Sequence, residues 1–159
     1  KPIIPNIADG DVRVIPLGGV EQIGQNMNII ETKDDIFVVD IGIQFSSETE
    51  TPGVDYIIPN IKYLLERKDK IRGVFVTHGH LDHIGAFPYI IDQLDYPKVY
   101  CGLLTKWMID KRNADADFDS VLVQFIPAAF CAFFDFAHVH IGHLNFGIHK
   151  TTFFRYCFR

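Results

Sequence analysis

Three histidines and one aspartate crowd into six positions of the stretch VFVTHGHLDHIGAF, which spans residues 74–87. They are His78, His80, Asp82 and His83, whereas the other four of the seven histidines all lie beyond residue 137. Imidazole nitrogens and carboxylate oxygens both bind zinc well, at distances of ~2.0–2.2 Å. These four side chains are therefore the first candidates for metal ligands in the chain.

The spacing H-x-H-x-D-H predicts two ligand pairs rather than one cluster. Side chains at positions i and i+2 of an extended segment point the same way, so His78 and His80 can converge on one point. Gly79 between them permits tight backbone geometry because it has no Cβ. Asp82 and His83 follow after a turn and can face a second point nearby. Hydrolytic enzymes use such paired sites to hold two metal ions ~3.5–4 Å apart.

Zinc is the expected metal, and manganese and iron are alternatives because nitrogen and oxygen ligands discriminate weakly between these ions. Other zinc patterns fit the chain less well. There is no H-E-x-x-H, and Cys101, Cys131 and Cys157 are too widely spaced for a CxxC pair. An odd number of scattered cysteines is typical of buried free thiols in a reducing compartment.

The elements around the motif predict an α/β sandwich. Strands are predicted at 12–17, 27–32, 35–40, 71–77 and 98–100, and helices at 58–70, 84–94 and 103–112. A Gly-punctuated loop (18–26) and a loop rich in Ser, Thr, Gly and Pro (41–55) separate them, and the second and third strands form a predicted hairpin. The order β, β, β, α, β, α, β, α favours helices packed on a sheet. The fourth strand leads directly into the candidate ligands.

The composition of the 159 residues bounds the classes of function. The length suits one domain with a real core, and the net charge of −5 lacks the basic footprint of a general nucleic-acid binder. A nucleic-acid enzyme with a local binding surface is not excluded. No apolar run approaches the ~20 residues of a membrane span, and no secretory signal is recognised at the N-terminus. The first residue is Lys, which fits a start inside a longer reading frame.

The character of the chain changes near residue 120. Residues 1–120 contain 12 Lys/Arg and 19 Asp/Glu, whereas residues 121–159 contain 3 and 1, together with nine of the 14 phenylalanines. We therefore expect residues 1–120 to form one part of a domain and residues 121–159 an atypical aromatic tail. Three interpretations of this tail stay open: a buried β region, an altered or frame-shifted segment that did not evolve with the fold, and a lipid-contacting segment.

The motif and its context resemble a known family. H-x-H-x-D-H after a strand resembles the signature of the metallo-β-lactamase superfamily. The segments PLGGVEQIGQNMNIIE, FVVDIGIQF, GVDYIIPNIKYL and IRGVFVTHGHLDHIGAFPYI resemble, in order and spacing, the N-terminal part of the ribonuclease J family, over roughly residues 10–112. The resemblance implies a metallo-β-lactamase-like αββα sandwich, of which this chain carries the N-terminal half only.

The resemblance also implies roles for individual residues. His78 and His80 would bind one zinc ion and Asp82 and His83 the other, and Asp82 would also help to hold or deprotonate the attacking water. Asp40, which closes the FVVD segment, matches the family's first motif. It would support the metal loop through hydrogen bonds to the ligands.

The function that the resemblance implies is a metal-dependent ribonuclease. It would bind two zinc ions, with manganese as an alternative, and a metal-bound hydroxide would attack an RNA phosphodiester in line. Such an enzyme would be cytoplasmic, would act in RNA maturation, including that of rRNA, and decay, and could form homo-oligomers when intact. The resemblance does not separate endonuclease from 5′-exonuclease activity. The loop LGGVEQIGQN matches the family's first hairpin loop near the active-site mouth, and both a plain turn and an RNA contact stay open for it.

The chain departs from the family downstream of the motif. The family's later ligands lie in an H-S-x-P-D-S-like segment, a T-G-D-like segment and a late His, and none of these strings occurs here. His138, His140, His143 and His149 lack the family's Asp and Ser context, so we do not expect them to be ligands. We also expect these 159 residues to lack a counterpart of the family's inserted nucleotide-binding domain. The resemblance thus implies a truncated chain with half of the metal site. The net charge of −7 over residues 1–120 is consistent with a fragment that lacks the family's RNA-binding regions.

Two other hypotheses compete with the ribonuclease. The same metal chemistry serves hydrolases that act on a thioester, a lactone or a β-lactam. Alternatively, the chain is an inactive fragment that binds at most one metal, since the second metal lacks a bridging carboxylate. Catalysis by this chain alone is therefore a separate question from the activity of the family.

Overall fold

The structure, a computed structural model, describes residues 4–46, 49, 51–119 and 123–127. The strands are β1 (Arg13–Gly18), β2 (Met27–Glu31), β3 (Ile36–Val39), β4 (Gln44–Phe45), β5 (Tyr56–Ile57), β6 (Ile71–Phe75), β7 (Val99–Cys101) and β8 (Phe125–Pro127). The helices are α1 (Lys62–Leu65), α2 (Leu81–Ile84), α3 (Phe87–Ile90) and α4 (Leu103–Asp115), and a 3-10 turn covers Lys68–Lys70.

One mixed sheet of six strands organises the described part of the chain, in the order β1-β2-β3-β6-β7-β8. Strands β1, β2 and β3 are antiparallel neighbours, which confirms the predicted hairpin of β2 and β3. Strands β3, β6, β7 and β8 are parallel. The α/β fold class is confirmed, and a single large sheet of the expected sandwich lies within the described residues. Because β3 and β6 are parallel neighbours, their carboxyl ends meet at one edge of the sheet.

The core explains why these segments fold against each other. Side chains from β2, β3, the turn after β3, and helices α1 to α4 are fully buried; the largest are Phe87, Met27, Ile29, Ile36, Ile41, Ile43, Leu64, Ile84, Ile90, Ile91, Ile109 and Val38. Burial of such a side chain stabilises a fold by ~1.5–3 kcal/mol relative to exposure. The core therefore anchors both the strand and the short helices that flank the candidate ligands.

The predicted helix over 58–70 is broken in the structure into α1 and a 3-10 turn. The amide of Lys62 is capped by the side-chain oxygen of Asn60 at 3.0 Å. Helical geometry ends at Arg67, whose guanidinium donates to the Tyr63 carbonyl at 3.1 Å and lies 4.0 Å from the Tyr63 ring centroid. That carbonyl is the partner the Arg67 amide would need in a continued α-helix, and the amide bonds to Leu64 instead.

Other departures are smaller. The loop predicted over 41–55 contributes β4, which pairs antiparallel with β5. Helical turns α2 and α3 replace the single helix predicted over 84–94, and α2 begins earlier, at Leu81, so that it includes two of the candidate ligands. The predicted helix over 103–112 is confirmed and extends to Asp115.

Strand β8 lies inside the predicted aromatic tail. Its residues pair in parallel with β7, with Phe125 opposite Val99 and Pro127 opposite Cys101. Residues 128–159, and with them His138, His140, His143 and His149, lie outside the described residues, so the division of the chain at residue 120 stays a prediction. Across the described ranges, none of the helices has the length and apolar character required to cross a bilayer.

Candidate metal centre

The carboxyl ends of β3 and β6 place Asp40 beside the start of the metal loop, residues 77–83. Asp40 follows β3 directly, and its amide donates to the Phe75 carbonyl at the end of β6 at 2.9 Å. The aspartate adopts a left-handed backbone conformation (φ 63°) and is only 4% exposed. Asp and Asn tolerate this conformation better than most residues do. The geometry turns the Asp40 carboxylate toward the loop.

Backbone hydrogen bonds hold α2 against the turn that follows β3. The amide of Ile41 donates to the His83 carbonyl at 2.8 Å, and that of Ile43 donates to the Leu81 carbonyl at 3.2 Å. The amide of Asn26, at the end of the Gly-rich loop, donates to the Asp82 carbonyl at 3.0 Å. Two segments that are distant in sequence, the turn after β3 and the end of the Gly-rich loop, thus fix the backbone of α2 without a metal.

The first predicted pair converges as expected. His78 Nε2 lies 3.1 Å from His80 Nδ1, and the two rings meet edge to face with centroids 4.7 Å apart. Two nitrogens bound to one tetrahedral zinc at ~2.0–2.1 Å would be ~3.3–3.4 Å apart. The separation of these nitrogens is therefore close to the span of a shared metal ion. Gly79 packs against α4, where an added Cβ would come within 2.3 Å of Met108 Sδ.

The second predicted pair is also formed. His83 Nε2 lies 3.3 Å from Asp82 Oδ2. The two pairs are adjacent, since the ring centroids of His78 and His83 are 4.0 Å apart. All four predicted side chains are thus brought together at one edge of the sheet.

Asp40 is the hydrogen-bond acceptor for the loop. Its Oδ1 accepts the Thr77 amide at 2.8 Å, and the Thr77 hydroxyl lies 3.0 and 2.9 Å from its two oxygens. His83 Nδ1 lies 2.8 Å from Asp40 Oδ2. Since a carboxylate only accepts, His83 donates its Nδ1–H to Asp40, and its Nε2 faces Asp82. The predicted supporting position of Asp40 matches this geometry.

Sequence reasoning missed two residues that contact the ligands. Thr77 Oγ1 lies 3.0 Å from His78 Nδ1. The Asn26 side-chain nitrogen lies 3.1 Å from Asp82 Oδ2 and 3.2 Å from His83 Nε2, so its amide donates to both members of the second pair. The available signals were the position of Thr77 directly before the motif and that of Asn26 at the end of a Gly-rich loop.

The surroundings shift the pKa values of His78 and His83 in opposite directions. Burial lowers the pKa of His78 below its ordinary value of 6.5, and the charges of His83 and His80 lower it further. Burial also opposes the charged form of His83. The hydrogen bond and charge of Asp40, with the charge of Asp82, outweigh that penalty and raise the pKa of His83.

We predict that, in the metal-free chain, His83 titrates above 6.5 and His78 below it. Because the folded pKa of His83 is raised, the protonated ring stabilises the metal-free fold below pH 6.5, and this stabilisation is lost as the pH rises through the folded pKa. Zinc needs the unprotonated ring, so zinc affinity should rise over the same interval. An NMR pH titration of the imidazole Cε1–H signals, in the presence of a chelator, measures which of the two histidines has the higher pKa. A His78 that titrates above His83 would contradict it.

The described side chains form two pairs of candidate metal ligands but not a complete metal centre. Over the ranges that the structure describes, no three His, Cys, Asp or Glu side chains form a group able to hold a metal ion. Catalytic zinc takes three protein ligands and keeps a fourth position open. Each pair would therefore need at least one further ligand from outside the described residues.

An open groove of about 440 Å³ borders the first pair. His80 lies on one side, and Trp107, Met108 and Lys111 of α4 line the other. Trp107 is the single tryptophan of the chain and is 59% exposed. Its fluorescence can therefore report on anything that binds beside His80.

Comparison with known proteins identifies the family of the chain. Residues 20–149 match the family model of the Metallo-beta-lactamase superfamily. The chain is 43% identical over 135 residues to Ribonuclease J 2 of Staphylococcus aureus (strain NCTC 8325 / PS 47), which covers 85% of this chain and 24% of that protein. It is 47% identical over 106 residues to Ribonuclease J 2 of Staphylococcus saprophyticus, covering 67% of this chain and 18% of that protein. The resemblance to the ribonuclease J family is thus confirmed.

Among solved structures, the chain is similar to human tRNase Z, short form, with 13% identity and a TM-score of 0.43 over 72% of this chain and 44% of that one. The chain spans about a quarter of the length of the S. aureus relative. The family model covers most of the chain and includes the metal loop together with its supporting residues Asn26 and Asp40. The chain therefore belongs to the metallo-β-lactamase superfamily.

Proposed function

We propose that this chain provides one half of the metal centre of a zinc-dependent ribonuclease that hydrolyses RNA phosphodiesters. The observation that carries the proposal is the adjacency of two donor pairs, His78 with His80 and Asp82 with His83, at the carboxyl ends of β3 and β6. The likeness to Ribonuclease J 2 supports RNA as the substrate class. RNA maturation and decay in the cytoplasm is the corresponding setting.

Each residue has a definite task in this proposal. His78 and His80 would hold one metal ion, and Asp82 and His83 would hold the other. Zinc bound there would polarise a phosphoryl oxygen and lower the pKa of water, and manganese could substitute for it. The Asp82 side chain is 41% exposed, so its carboxylate can orient an incoming water and accept a proton from it. Asp40 keeps the His83 ring in place through its 2.8 Å hydrogen bond.

The proposal is tested by an RNA cleavage assay on the full chain. A labelled, unstructured RNA oligonucleotide is incubated with the chain and added zinc or manganese, and nitrocefin is tested in parallel as a β-lactam. Any RNA cleavage by the chain is expected to require added metal and to be lost in the His78→Ala/His80→Ala double variant, because one metal then has no ligand pair. Asp95→Asn, a change at a 69% exposed side chain, is the surface control.

Trp107 separates binding from cleavage in the same experiment. Since Trp107 lines the groove beside His80, RNA that enters the site should change its emission even in the presence of a chelator. A metal-loaded wild-type chain that leaves RNA intact would overturn the proposal for this chain and favour an inactive fragment. Hydrolysis of nitrocefin without cleavage of RNA would instead favour the alternative class of hydrolase.

A further inference from the structure

Thr77 lies outside both donor pairs; its hydroxyl oxygen is closer to His78 of the first pair than to His83 of the second, whose Nδ1 lies 3.4 Å away. Its hydroxyl oxygen lies 3.0 and 2.9 Å from the two carboxylate oxygens of Asp40. The same oxygen lies 3.0 Å from His78 Nδ1. Its backbone amide also donates to Asp40 Oδ1 at 2.8 Å. The backbone and the side chain of Thr77 are therefore both hydrogen-bonded to the same carboxylate.

The direction of these hydrogen bonds follows from the chemistry of the groups. An ionised carboxylate has no hydrogen to donate, so the Thr77 hydroxyl donates to Asp40. A hydroxyl has only one hydrogen, so in the contact with His78 the Thr77 oxygen must accept. Nδ1 of His78 therefore carries a proton, and in the neutral ring its Nε2 keeps a lone pair. Nε2 is the atom that faces His80 Nδ1 at 3.1 Å.

The second pair has the same arrangement without an intermediary. His83 Nδ1 donates to Asp40 Oδ2 at 2.8 Å, and its Nε2 lies beside Asp82. The Asn26 amide nitrogen, 3.2 Å from Nε2, agrees with an unprotonated nitrogen at that position. One buried carboxylate thus serves both pairs, directly for His83 and through a hydroxyl for His78.

We propose that Thr77 is a positioning residue that fixes His78 in the Nδ1–H tautomer, by connecting its ring to the Asp40 carboxylate. Thr77 thereby keeps the lone pair of His78 Nε2 directed toward the point shared with His80. The value of this tautomer for metal binding rests on the proposed function. The tautomer itself does not, because it follows from contacts that exist without a metal.

The test is the tautomer of His78, measured by long-range 1H–15N NMR on the full metal-free chain, at a pH well above the ordinary value of 6.5. In the wild type we expect the Nδ1–H form of His78. Thr77→Val has nearly the same shape but no hydroxyl, so His78 should shift toward the Nε2–H form while His83 keeps its Nδ1–H. Thr77→Ser restores a hydroxyl and should restore the wild-type tautomer. Thermal melting of each variant shows whether the fold persists.

Zinc affinity, measured by competition with a chromophoric chelator, is the second readout. Loss of a hydrogen-bond partner of a metal-binding histidine typically lowers metal affinity 10–100-fold, so Thr77→Val should do so and Thr77→Ser should not. A wild-type His78 in the Nε2–H form, or a folded Thr77→Val variant with an unchanged tautomer, would overturn the inference. If the tautomers are as expected but RNA is not cleaved, only the proposed function fails.

Discussion

Substitution of Gly42 by alanine is expected to destabilise the fold by at least ~3 kcal/mol and to remove the Asp82–His83 pair. A Cβ at Gly42 would lie 1.6 Å from the Asp82 carbonyl oxygen, 2.3 Å from its carbon and 2.9 Å from the Asn26 nitrogen. These are backbone atoms, so relief requires a shift of the chain rather than of a side chain. Forced overpacking alone typically costs 1–3 kcal/mol, and each lost hydrogen bond adds ~0.5–1.5 kcal/mol.

The hydrogen bonds at risk are those that dock the metal loop. They include the Gly42 amide to the Asn26 carbonyl and the Asn26 amide to the Asp82 carbonyl, both at 3.0 Å. In a chain of this size, a loss of this order should lower the melting temperature by roughly 6–12 °C. Zinc binding should fall at the same time, because the displaced backbone carries Asp82 and His83.

Gly102→Ser is the matched control for Gly42→Ala. A Cβ at Gly102 meets nothing within 4 Å, and the residue caps the N-terminus of α4, where serine is favoured. We expect its melting temperature to stay close to that of the wild type. A Gly42→Ala variant that has the melting temperature of the control and binds zinc normally would show that the metal loop does not dock against Gly42 as described.

Substitution of Asp40 by asparagine is expected to lower both stability and zinc affinity while leaving the backbone unstrained. Asparagine, like aspartate, tolerates the left-handed conformation found at this position (φ 63°). Its amide offers one acceptor oxygen, whereas the carboxylate accepts from the Thr77 amide, the Thr77 hydroxyl and the His83 ring. A hydrogen bond to a charged group contributes ~1.5–3 kcal/mol, and we expect a loss of that order.

The same change should disturb His83 directly. The asparagine NH2 group would face His83 Nδ1–H or the Thr77 hydroxyl, donor against donor, so the ring should rotate or change tautomer. Removal of such a partner typically lowers metal affinity 10–100-fold. Asp95→Asn is the matched control, because Asp95 has the same φ of 63° but a 69% exposed side chain paired with Lys68 at 2.9 Å. Exposed pairs contribute only ~0–1 kcal/mol.

The measurements for Asp40→Asn are thermal unfolding without metal and chelator competition for zinc. Equal losses in Asp40→Asn and Asp95→Asn would contradict the account, since they would reflect a general effect of lost charge. Retention of wild-type zinc affinity by Asp40→Asn would show that His83 does not depend on its hydrogen bond to the carboxylate.

The convergence of the four candidate ligands could be predicted from the sequence because it depends on local geometry. His78 and His80 are two residues apart on an extended segment, and His83 follows Asp82 directly, so no distant contact is needed to bring each pair together. The parallel pairing of β3 and β6 was not predicted strand by strand. The supporting role of Asp40 was implied by the family resemblance.

The residues that hold the ligands could not be predicted in the same way. Asn26 contacts Asp82 across 56 positions of sequence and Thr77 contacts Asp40 across 37, and such pairs depend on how strands and loops pack. Gly42 matters only because two other backbone segments pass beside it. The extent of the helix over 58–70 was also misjudged. In the structure, helical geometry ends before Arg67, whose guanidinium donates to the Tyr63 carbonyl.

The zinc content of the purified full chain tests the central claim most directly. We would measure it by elemental analysis after zinc loading and gel filtration, beside the His78→Ala/His80→Ala and Asp82→Ala/His83→Ala double variants. The account predicts zinc bound to the wild-type chain and a lower zinc content in each double variant, because each variant loses one donor pair. A wild-type chain without zinc, or variants with an unchanged zinc content, would contradict the assignment of these two pairs as metal ligands.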